Sequence, residues 1–255
     1  RGRLTPRAFE HQAVSQARAA LACTDAVAVQ NSGDDACLQQ LGVDPASIIV
    51  EPSGLTEAEF QQLGHLPAGE DGRPILSFVG TFDYRKGCLD LAWLTPRLAR
   101  RFPSLQFRFI GTNGLIQGER SVRAFFPHWL QSRLQVVPSF PSGSLPQQLN
   151  GVTLGVFPSY LEGFGIAVIE QLAAGIPVVA YNSPGPADIL PADWLVPRGN
   201  RQALLERLSA LLGTQQHGDR ADAERARRIA APYRWARIAA RWDGHYRRLL
   251  AARRP

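Results

Sequence analysis

The sequence predicts an α/β protein with a doubly wound, mostly parallel sheet. Short apolar runs of four to seven residues recur along the chain, rich in Val, Ile and Phe and bounded by Gly, Pro or Ser. Runs of this kind are typical of buried parallel strands. Helical patterns with one apolar face lie between them, and strands that alternate with helices favour a parallel sheet covered on both sides.

The five main strands are predicted at 75–80, 105–111, 134–138, 153–158 and 176–181. Nearer the start of the chain, 25–29 and 47–50 have a similar composition and predict two more strands around a helix at 33–41. Another helix is predicted near 7–22. The polar segment 67–74 is rich in Gly and Pro, and it predicts a loop.

Three apolar stripes at three- and four-residue spacing predict the main helices. The first contains Leu91, Leu94 and Leu98, although Pro96 should kink or break that helix. The other two stripes are formed by Ile166, Ile169, Leu172 and Ala173, and by Leu204, Leu205, Leu208, Leu211 and Leu212. Gly175 follows the second stripe at the place where a glycine C-cap ends a helix.

The chain ends in a basic amphipathic helix, predicted at about 232–252. Its apolar side consists of Trp235, Ile238, Trp242, Tyr246 and Leu249, and arginines occupy much of the remainder. The favoured interpretation is a terminal helix that packs this stripe on the domain. A partner domain and an anionic membrane surface are the alternatives.

The positive net charge of the chain is compatible with several kinds of anionic partner and does not distinguish between them. The 255 residues carry a charge of +6, and the isoelectric point is near 9.8. A basic protein suits nucleic acid, an anionic membrane or an anionic small substrate. The motifs described below favour the small substrate, and no nucleic-acid partner is expected.

Several features predict the compartment. No apolar run approaches the roughly 18 residues that span a bilayer, and no secretory pattern follows the first basic residues. Cys23, Cys37 and Cys88 have no metal-binding spacing, so we interpret them as reduced thiols with packing roles. We expect a cytoplasmic protein, with peripheral contact at the inner face of a membrane as an open alternative. Methionine is absent, even from position 1, and we expect the chain to be a piece of a longer protein.

Two carboxylates flank a glycine-rich loop after the strand at 153–158. Glu162 precedes a predicted helix, and Glu170 lies about a turn and a half inside it. Their rise along the helix places them on the order of 10 Å apart, which is wide for the paired acids of a glycosidase at roughly 5–9.5 Å. Gly163 and Gly165 allow close backbone approach, and first helical amides favour phosphate. The segment therefore predicts two contacts on an extended ligand, such as a nucleotide sugar.

The only lysine of the chain also follows a predicted strand. Arg85 and Lys86 come after Gly80 and Thr81, where two cations could bind a diphosphate. Arginine supplies the other 27 basic residues, so the single lysine indicates a need for a compact ammonium group.

Other loops give weaker signals. Gly111 and Thr112 follow a strand and could line the ligand, but they do not belong to a dinucleotide-binding Gly-x-Gly-x-x-Gly motif. The loop around Gly185 is a candidate for the rim of the same pocket, or an ordinary turn. The five histidines show no spacing pattern, and we interpret them as surface or core residues.

These segments, in this order, resemble glycosyltransferase family four, a group of retaining enzymes with the two-domain B-type fold. The Glu-x7-Glu motif matches from Glu162 to Glu170, and its continuation at 171–180 is also similar. Supporting similarities lie at Lys86-Gly87, at 184–188, at 233–235 with the following helix, and at 24–30 and 44–54. The resemblance covers about residues 8–252.

The resemblance implies roles for individual residues. Lys86 would bind the diphosphate, and the amides of Phe164 and Gly165 would hold phosphate oxygens. Glu162 would bind the transferred sugar, and Glu170 the ribose. No divalent metal and no other cofactor are expected, because side chains and helix ends would neutralise the leaving group. The chain also lacks an Asp-x-Asp metal motif.

Glu162 and Lys86 are accordingly the candidate catalytic residues. The full set of candidate donor-binding residues is Gly80, Thr81, Arg85, Lys86, Gly111, Thr112, Ser159, Glu162, Gly163, Phe164, Gly165, Ile166, Glu170 and Gly185.

Three positions depart from the family pattern. Thr81 stands where the family often has Arg, so one phosphate-binding cation is missing, and we predict that Arg85 replaces it. Pro184 stands where Gly is usual and Asp188 where Glu is usual, which puts sugar contacts there in question.

The resemblance predicts the domain organisation. Residues 1–23 would connect from an absent first domain that binds the acceptor, and residues 24–255 would form a Rossmann-like donor-binding domain, the second half of a B-type enzyme. Such a chain should bind a nucleoside diphosphate sugar and not transfer it alone. The alternatives are a non-catalytic nucleotide-sugar-binding subunit or scaffold of a split transferase, and another B-type enzyme such as an epimerase. A phosphorylase is disfavoured, because it would need pyridoxal phosphate on a lysine, and Lys86, the only lysine, is already assigned to the diphosphate.

Overall fold

Residues 6–66, 72–215 and 220–252 are described in a computed structural model of the chain. The strands are β1 Val27–Val29, β2 Ile48–Val50, β3 Ile75–Val79, β4 Gln106–Ile110, β5 Leu134–Val137, β6 Leu154–Phe157, β7 Val178–Tyr181 and β8 Leu195–Val196. The helices are α1 Pro6–Ala22, α2 Ser32–Gln40, α3 Glu57–Gly64, α4 Cys88–Arg101, α5 Glu119–Arg123, α6 Leu145–Leu149, α7 Ile166–Ala173, α8 Pro186–Ile189, α9 Arg201–Gln215, α10 Arg220–Ala230 and α11 Trp235–Ala252.

Strands β3 to β8 form one parallel sheet in the order β5-β4-β3-β6-β7-β8. The chain first extends from β3 to β5 on one side, and it then returns to β6 beside β3 and extends to β8. This reversal makes the sheet doubly wound and opens a crevice at the carboxyl ends of β3 and β6. All five main strands predicted from the sequence are present in this sheet, and the predicted fold class is confirmed.

Two apolar cores cover the faces of the sheet. On one face, the fully buried side chains of Phe78, Phe107 and Phe109 pack with helices α4 and α9. On the other face, strands β6 and β7 pack against α7, which in turn contacts α3 and α10. Alternate residues of the central strands β3, β6 and β7 therefore enter opposite cores, which explains why these strands are almost continuously apolar.

Helix α4 continues through Pro96, so the predicted break is wrong. Proline removes one helical hydrogen bond and crowds the preceding turn. The flanking residues Leu94 and Leu98 are fully buried, and their packing against the sheet holds the helix on both sides of the proline. Burial of each leucine contributes roughly 1.5–3 kcal/mol, which offsets the cost of the proline.

The N-terminal elements lie apart from the main sheet. Strands β1 and β2 pair only with each other among the described residues, and α2 packs beside them. Helices α1 and α2 confirm the predicted helices at 7–22 and 33–41. Residues 1–5 of the predicted connecting segment and 67–71 of the predicted loop fall outside the described residues.

The terminal helix α11 buries less of its apolar stripe than predicted. Ile238 is buried, but Trp235 and Tyr246 are 47% and 58% exposed. At the start of the helix, the Leu55 amide donates to the carbonyl oxygen of Tyr233 and the Trp235 amide donates to that of Leu55. Farther along, Arg241 and His245 contact Glu51. Packing of the whole stripe on the domain is therefore corrected to packing around Ile238.

Two smaller predictions also need correction. Ile166 is 39% exposed at the start of α7, because the helix begins at the crevice and turns only its later residues into the core. Cys88 is buried, as expected of a packing residue, whereas Cys23 and Cys37 are exposed free thiols. None of the helices in the described residues combines the length and apolar character needed to cross a bilayer.

Candidate functional site

The loops that follow β3 and β6 meet at the crevice. Gly87 lies between them with a φ of +79°, and a methyl group there would lie 2.2 Å from the carbonyl oxygen of Pro158. Only glycine permits this backbone conformation and this close approach. Asp83 holds the first loop in place by accepting hydrogen bonds from the Thr81 hydroxyl at 2.7 Å and from the Lys86 amide at 3.0 Å.

The close approach of the two loops brings Lys86, which is predicted to bind the diphosphate, against Glu162, the first carboxylate of the motif. The Lys86 ammonium donates a hydrogen bond to Glu162 in a very short ion pair. The Lys86 side chain is 15% exposed and that of Glu162 is 7% exposed, and Lys86 Nζ lies 5.4 Å from the centre of the Phe157 ring. Both groups are therefore largely shielded from water, which strengthens their attraction.

Arg85 lies at the outer side of this pair. Its Nη1 donates to the carbonyl oxygen of Leu161 at 2.9 Å and lies 3.9 Å from Glu162. The side chain is 49% exposed, so it can turn towards a ligand in the crevice. The structure thus brings three of the predicted site residues together: Arg85, Lys86 and Glu162.

Helix α7 presents its N-terminus to the same crevice. Gly165 is the N-cap residue, and no side chain caps the helix. Gly185 permits this arrangement, since a methyl group there would lie 2.3 Å from the carbonyl oxygen of Phe164. The first amides of an uncapped helix carry partial positive charge and can donate to phosphate oxygens.

Glu170 lies farther along α7, beside a cavity of about 190 Å³. Burial, and then the charge of Glu59, raise the pKa of Glu170 to about 7. The cavity is lined by Leu55, Glu59, Gln62, Leu63, Phe140, Ser142, Gly143, Leu145, Pro146 and Glu170. The second carboxylate of the motif therefore faces a separate compartment from Glu162.

The remaining predicted residues lie at the ends of the central strands. Gly80 follows β3, and Gly111 and Thr112 follow β4. The hydroxyls of Thr112 and Ser159 are buried and have no hydrogen-bond partner among the described residues. Buried hydroxyls without partners are uncommon, and these two are available to a polar ligand.

Two contacts that tie the N-terminal elements to the site were not predicted. Asn31 is fully buried, and its amide donates to the carbonyl oxygen of Gly163, which ties the N-terminal elements to the crevice loop. Asp188 accepts hydrogen bonds from the backbone and hydroxyl of Ser32 and so holds the same interface. Their distance in sequence, more than 130 residues in each case, left no local signal.

No group of His, Cys, Asp and Glu side chains in the described part of the chain has an arrangement that could hold a metal ion. The predicted sites consist of cations, carboxylates, hydroxyls and backbone amides. Their chemistry suits a polar, anionic ligand with hydroxyl groups at both ends.

Comparison with known proteins shows the family. Residues 73–214 match the family described as "Glycosyl transferases group 1". This match covers more than half of the chain and contains the whole crevice. The chain therefore belongs to the group 1 glycosyltransferases, whose B-type fold it shares with solved structures.

Curated relatives are distant but extend over much of the chain. D-inositol 3-phosphate glycosyltransferase of Nocardia farcinica is 28% identical over 237 residues, which cover 83% of this chain and 50% of the relative. A putative colanic acid biosynthesis glycosyltransferase, WcaL of Escherichia coli, is 26% identical over 184 residues, which cover 68% and 44%. The chain thus spans about half the length of the curated relatives it matches.

Solved structures agree on the fold. Sucrose-phosphate synthase from Thermosynechococcus elongatus has a TM-score of 0.76 at 25% identity, covering 95% of this chain and 62% of that chain. Anabaena HepE, solved in complex with UDP and glucose, has a TM-score of 0.72 at 19% identity, covering 95% and 68%.

Proposed function

We propose that this chain is the donor-binding half of a retaining glycosyltransferase, and that it binds a nucleoside diphosphate sugar along the crevice between β3 and β6. The observation that carries this proposal is the placement of Lys86 and Glu162 side by side, next to the uncapped N-terminus of α7. A cation and free amides suit a diphosphate, and a carboxylate suits sugar hydroxyls.

The donor would extend from Glu162 to Glu170. Its diphosphate would draw the Lys86 ammonium away from Glu162 and receive hydrogen bonds from the first amides of α7. Glu162, freed from the ion pair, would accept hydrogen bonds from the sugar. The nucleoside would occupy the cavity beside Glu170, whose ionised carboxylate accepts two hydroxyl hydrogen bonds from a ribose.

Catalysis would follow from the same contacts. As the sugar leaves, negative charge develops on the diphosphate, and Lys86, Arg85 and the α7 amides would stabilise it. The resemblance to glycosyltransferase family four implies retention of configuration at the anomeric carbon. No metal or other cofactor is needed in this scheme.

The other half of the enzyme would bind the acceptor. Because the chain spans about half of its curated relatives, we expect donor binding without transfer by this chain alone. The alternative is a non-catalytic subunit or scaffold of a split transferase, which binds the nucleotide sugar and takes no part in transfer. If transfer is restored when an acceptor-binding domain is added in trans, this chain is the donor-binding part of a split enzyme and not a pure binding module. The cytoplasmic location stays a prediction.

Calorimetric titration of UDP-, GDP- and ADP-sugars tests the proposal. We expect at least one of them to bind the wild-type chain, and Glu170→Ala to weaken that binding by about tenfold or more, the cost of one hydrogen bond to a charged group. Glu206→Ala is the matched control, because this exposed glutamate lies on α9 and accepts a hydrogen bond from Gln202, away from the crevice. If no nucleotide sugar and no nucleoside diphosphate binds, the proposal is wrong.

A further inference from the structure

The positive charge of the chain is concentrated in one segment. Residues 91–150 contain seven arginines and a single acidic residue, Glu119, which gives this segment a net charge of +6. The rest of the chain has 21 basic and 21 acidic residues and is neutral. The seven arginines are Arg97, Arg100, Arg101, Arg108, Arg120, Arg123 and Arg133.

Three of these arginines line one cavity of about 340 Å³: Arg108, Arg123 and Arg133. The cavity also contacts Ile75, Gln106 and Leu134, which are the first residues of β3, β4 and β5. In a parallel sheet the first residues of all strands lie at the edge opposite to their carboxyl ends. This cavity is therefore at the other end of the sheet from the crevice with Lys86.

Two of the guanidinium groups are partly buried, and neither pairs with an acidic side chain among the described residues. Arg108 donates to the Gln135 side chain and to the carbonyl oxygens of Gln148 and Asn150. These acceptors are neutral, and burial lowers the pKa of Arg108 below its ordinary range.

Arg133, beside the end of α4, also donates its hydrogen bonds to neutral acceptors. It donates to the backbone carbonyls of Ala99, Phe102 and Pro103, and burial again lowers its pKa. Partly buried cations among neutral partners are costly, and an anion in the cavity would remove that cost.

Arg123 extends the basic surface outward. It pairs with Glu119 at 2.6 Å and donates to Gln131. Arg123 and Gln131 also line a second, more open cavity of about 730 Å³, together with Arg120 and His128. Glu119 is the only carboxylate among the residues that line the two cavities.

We propose that the cavity of Arg108, Arg123 and Arg133 is a second anion site, which binds the phosphate group of a ligand other than the donor. Guanidinium groups match the oxygens of phosphate in pairs. Within the described residues, no hydrogen bond uses Nη2 of Arg108, Nη2 of Arg123 or Nε of Arg133. The phosphate comes either from a soluble phosphorylated compound or from a lipid headgroup.

Charge substitutions at the outer side of the cavity test the site without disturbing the buried arginines. Arg123→Gln should weaken the binding of pyrophosphate at this site about tenfold, as expected for one lost hydrogen bond between charged groups. Glu119→Gln should strengthen it, because it removes the competing carboxylate. Arg247→Gln is the matched control, since this arginine on α11 is 78% exposed and pairs with Asp243.

The probes distinguish the two sources of phosphate. Pyrophosphate is titrated calorimetrically into the whole chain. The same titration of Lys86→Gln measures how much of the pyrophosphate binding takes place in the crevice, because this variant lacks the crevice cation. Sedimentation with phosphatidylcholine vesicles, with and without phosphatidylglycerol, tests the headgroup. Weaker pyrophosphate binding in Arg123→Gln but not in Arg247→Gln supports a site for a soluble phosphorylated compound. Weaker binding to vesicles that contain phosphatidylglycerol, in the same comparison, supports a site for a lipid headgroup. If neither pyrophosphate nor anionic vesicles respond to Arg123→Gln and Glu119→Gln, the proposal is overturned, whatever the result for the donor.

Discussion

Lys86 and Glu162 neutralise each other in the free protein, and this pairing has a consequence for ligand binding. A cation and a carboxylate that are both largely buried attract strongly, and removal of one leaves the other uncompensated. A diphosphate can take over the role of Glu162 as the anionic partner of Lys86. Donor binding would then exchange one ion pair for another and release Glu162 to the sugar.

Substitution of the cations should separate their contributions. We expect Lys86→Ala to reduce affinity for the nucleoside diphosphate by about tenfold or more, the cost of a lost charge-assisted hydrogen bond. Arg85→Ala should cause a smaller loss, because Arg85 is half exposed and is already hydrogen-bonded to Leu161. Calorimetry at moderate salt measures both. Unchanged affinity in Arg85→Ala would show that Arg85 does not replace the cation missing at Thr81.

Glu170 should make stability depend on pH. Burial, followed by the charge of Glu59, raises its pKa from an ordinary 4.5 to about 7. The folded state therefore keeps a proton that the unfolded state releases, and the contribution of this group to stability falls as pH rises from about 4.5 to about 7. The total loss is on the order of 3 kcal/mol. Above pH 7 the contribution is constant.

Glu170→Gln removes this titration and keeps the side-chain shape. Urea unfolding of both proteins at pH 5, 6, 7 and 8 measures the difference in free energy of unfolding. The variant should gain stability relative to wild type between pH 5 and 7. If the free energy of unfolding depends on pH in the same way in both proteins, the pKa of Glu170 is not raised.

At the scale of elements, the crevice depends on how closely the loops after β3 and β6 approach. Gly87 starts α4 in a left-handed conformation and lies against Pro158. Any side chain there must push the two loops apart. The separation of Lys86 from Glu162 therefore depends on the absence of a side chain at Gly87.

Gly87→Ala tests this dependence. The clash with Pro158 adds to the backbone strain of a positive φ, so we expect a loss of more than about 2 kcal/mol in stability together with weaker donor binding. Gly42→Ala is the matched control. Gly42 has a φ of +87° but open space around its Cα, so it should lose only about 1 kcal/mol and bind donor normally. Equal losses in the two variants would show that the contact with Pro158 is unimportant.

At the scale of the whole molecule, α11 joins the C-terminal end of the described chain to the segment that follows β2. Glu51, which follows β2, is buried and accepts hydrogen bonds from Arg241 at 2.8 Å and from His245 at 2.9 Å. Backbone hydrogen bonds between Leu55 and the start of α11 continue this interface. A buried carboxylate thus adds to the backbone hydrogen bonds that hold the segment after β2 against the terminal helix.

Glu51→Gln should loosen this connection. Replacing a buried carboxylate that binds two basic groups should cost about 1–3 kcal/mol and increase hydrogen exchange in α11. Glu57→Gln is the control: Glu57 also pairs with an arginine, but its side chain is 58% exposed, so the loss should stay below about 1 kcal/mol. Hydrogen exchange in α11 that is the same in both variants would argue against the role of Glu51.

The sequence by itself determined the central sheet and the residues of the crevice. The predicted strands from Ile75 onward are present because buried parallel strands are continuously apolar, which leaves a local signal. The motif from Glu162 to Glu170 was visible because its glutamates and glycines follow a predicted strand and begin a predicted helix. Lys86 was visible because it is the only lysine in an arginine-rich chain. The roles assigned to these residues stay predictions.

Only the tertiary structure decided which of these residues touch. The ion pair of Lys86 with Glu162 and the contact of Asn31 with Gly163 join segments 76 and 132 residues apart. The continuity of α4 through Pro96 also depends on burial of its neighbours. Periodicity reports which face of an element is apolar, whereas the partner of a buried polar group is set by packing of distant segments, which leaves no local pattern in the sequence.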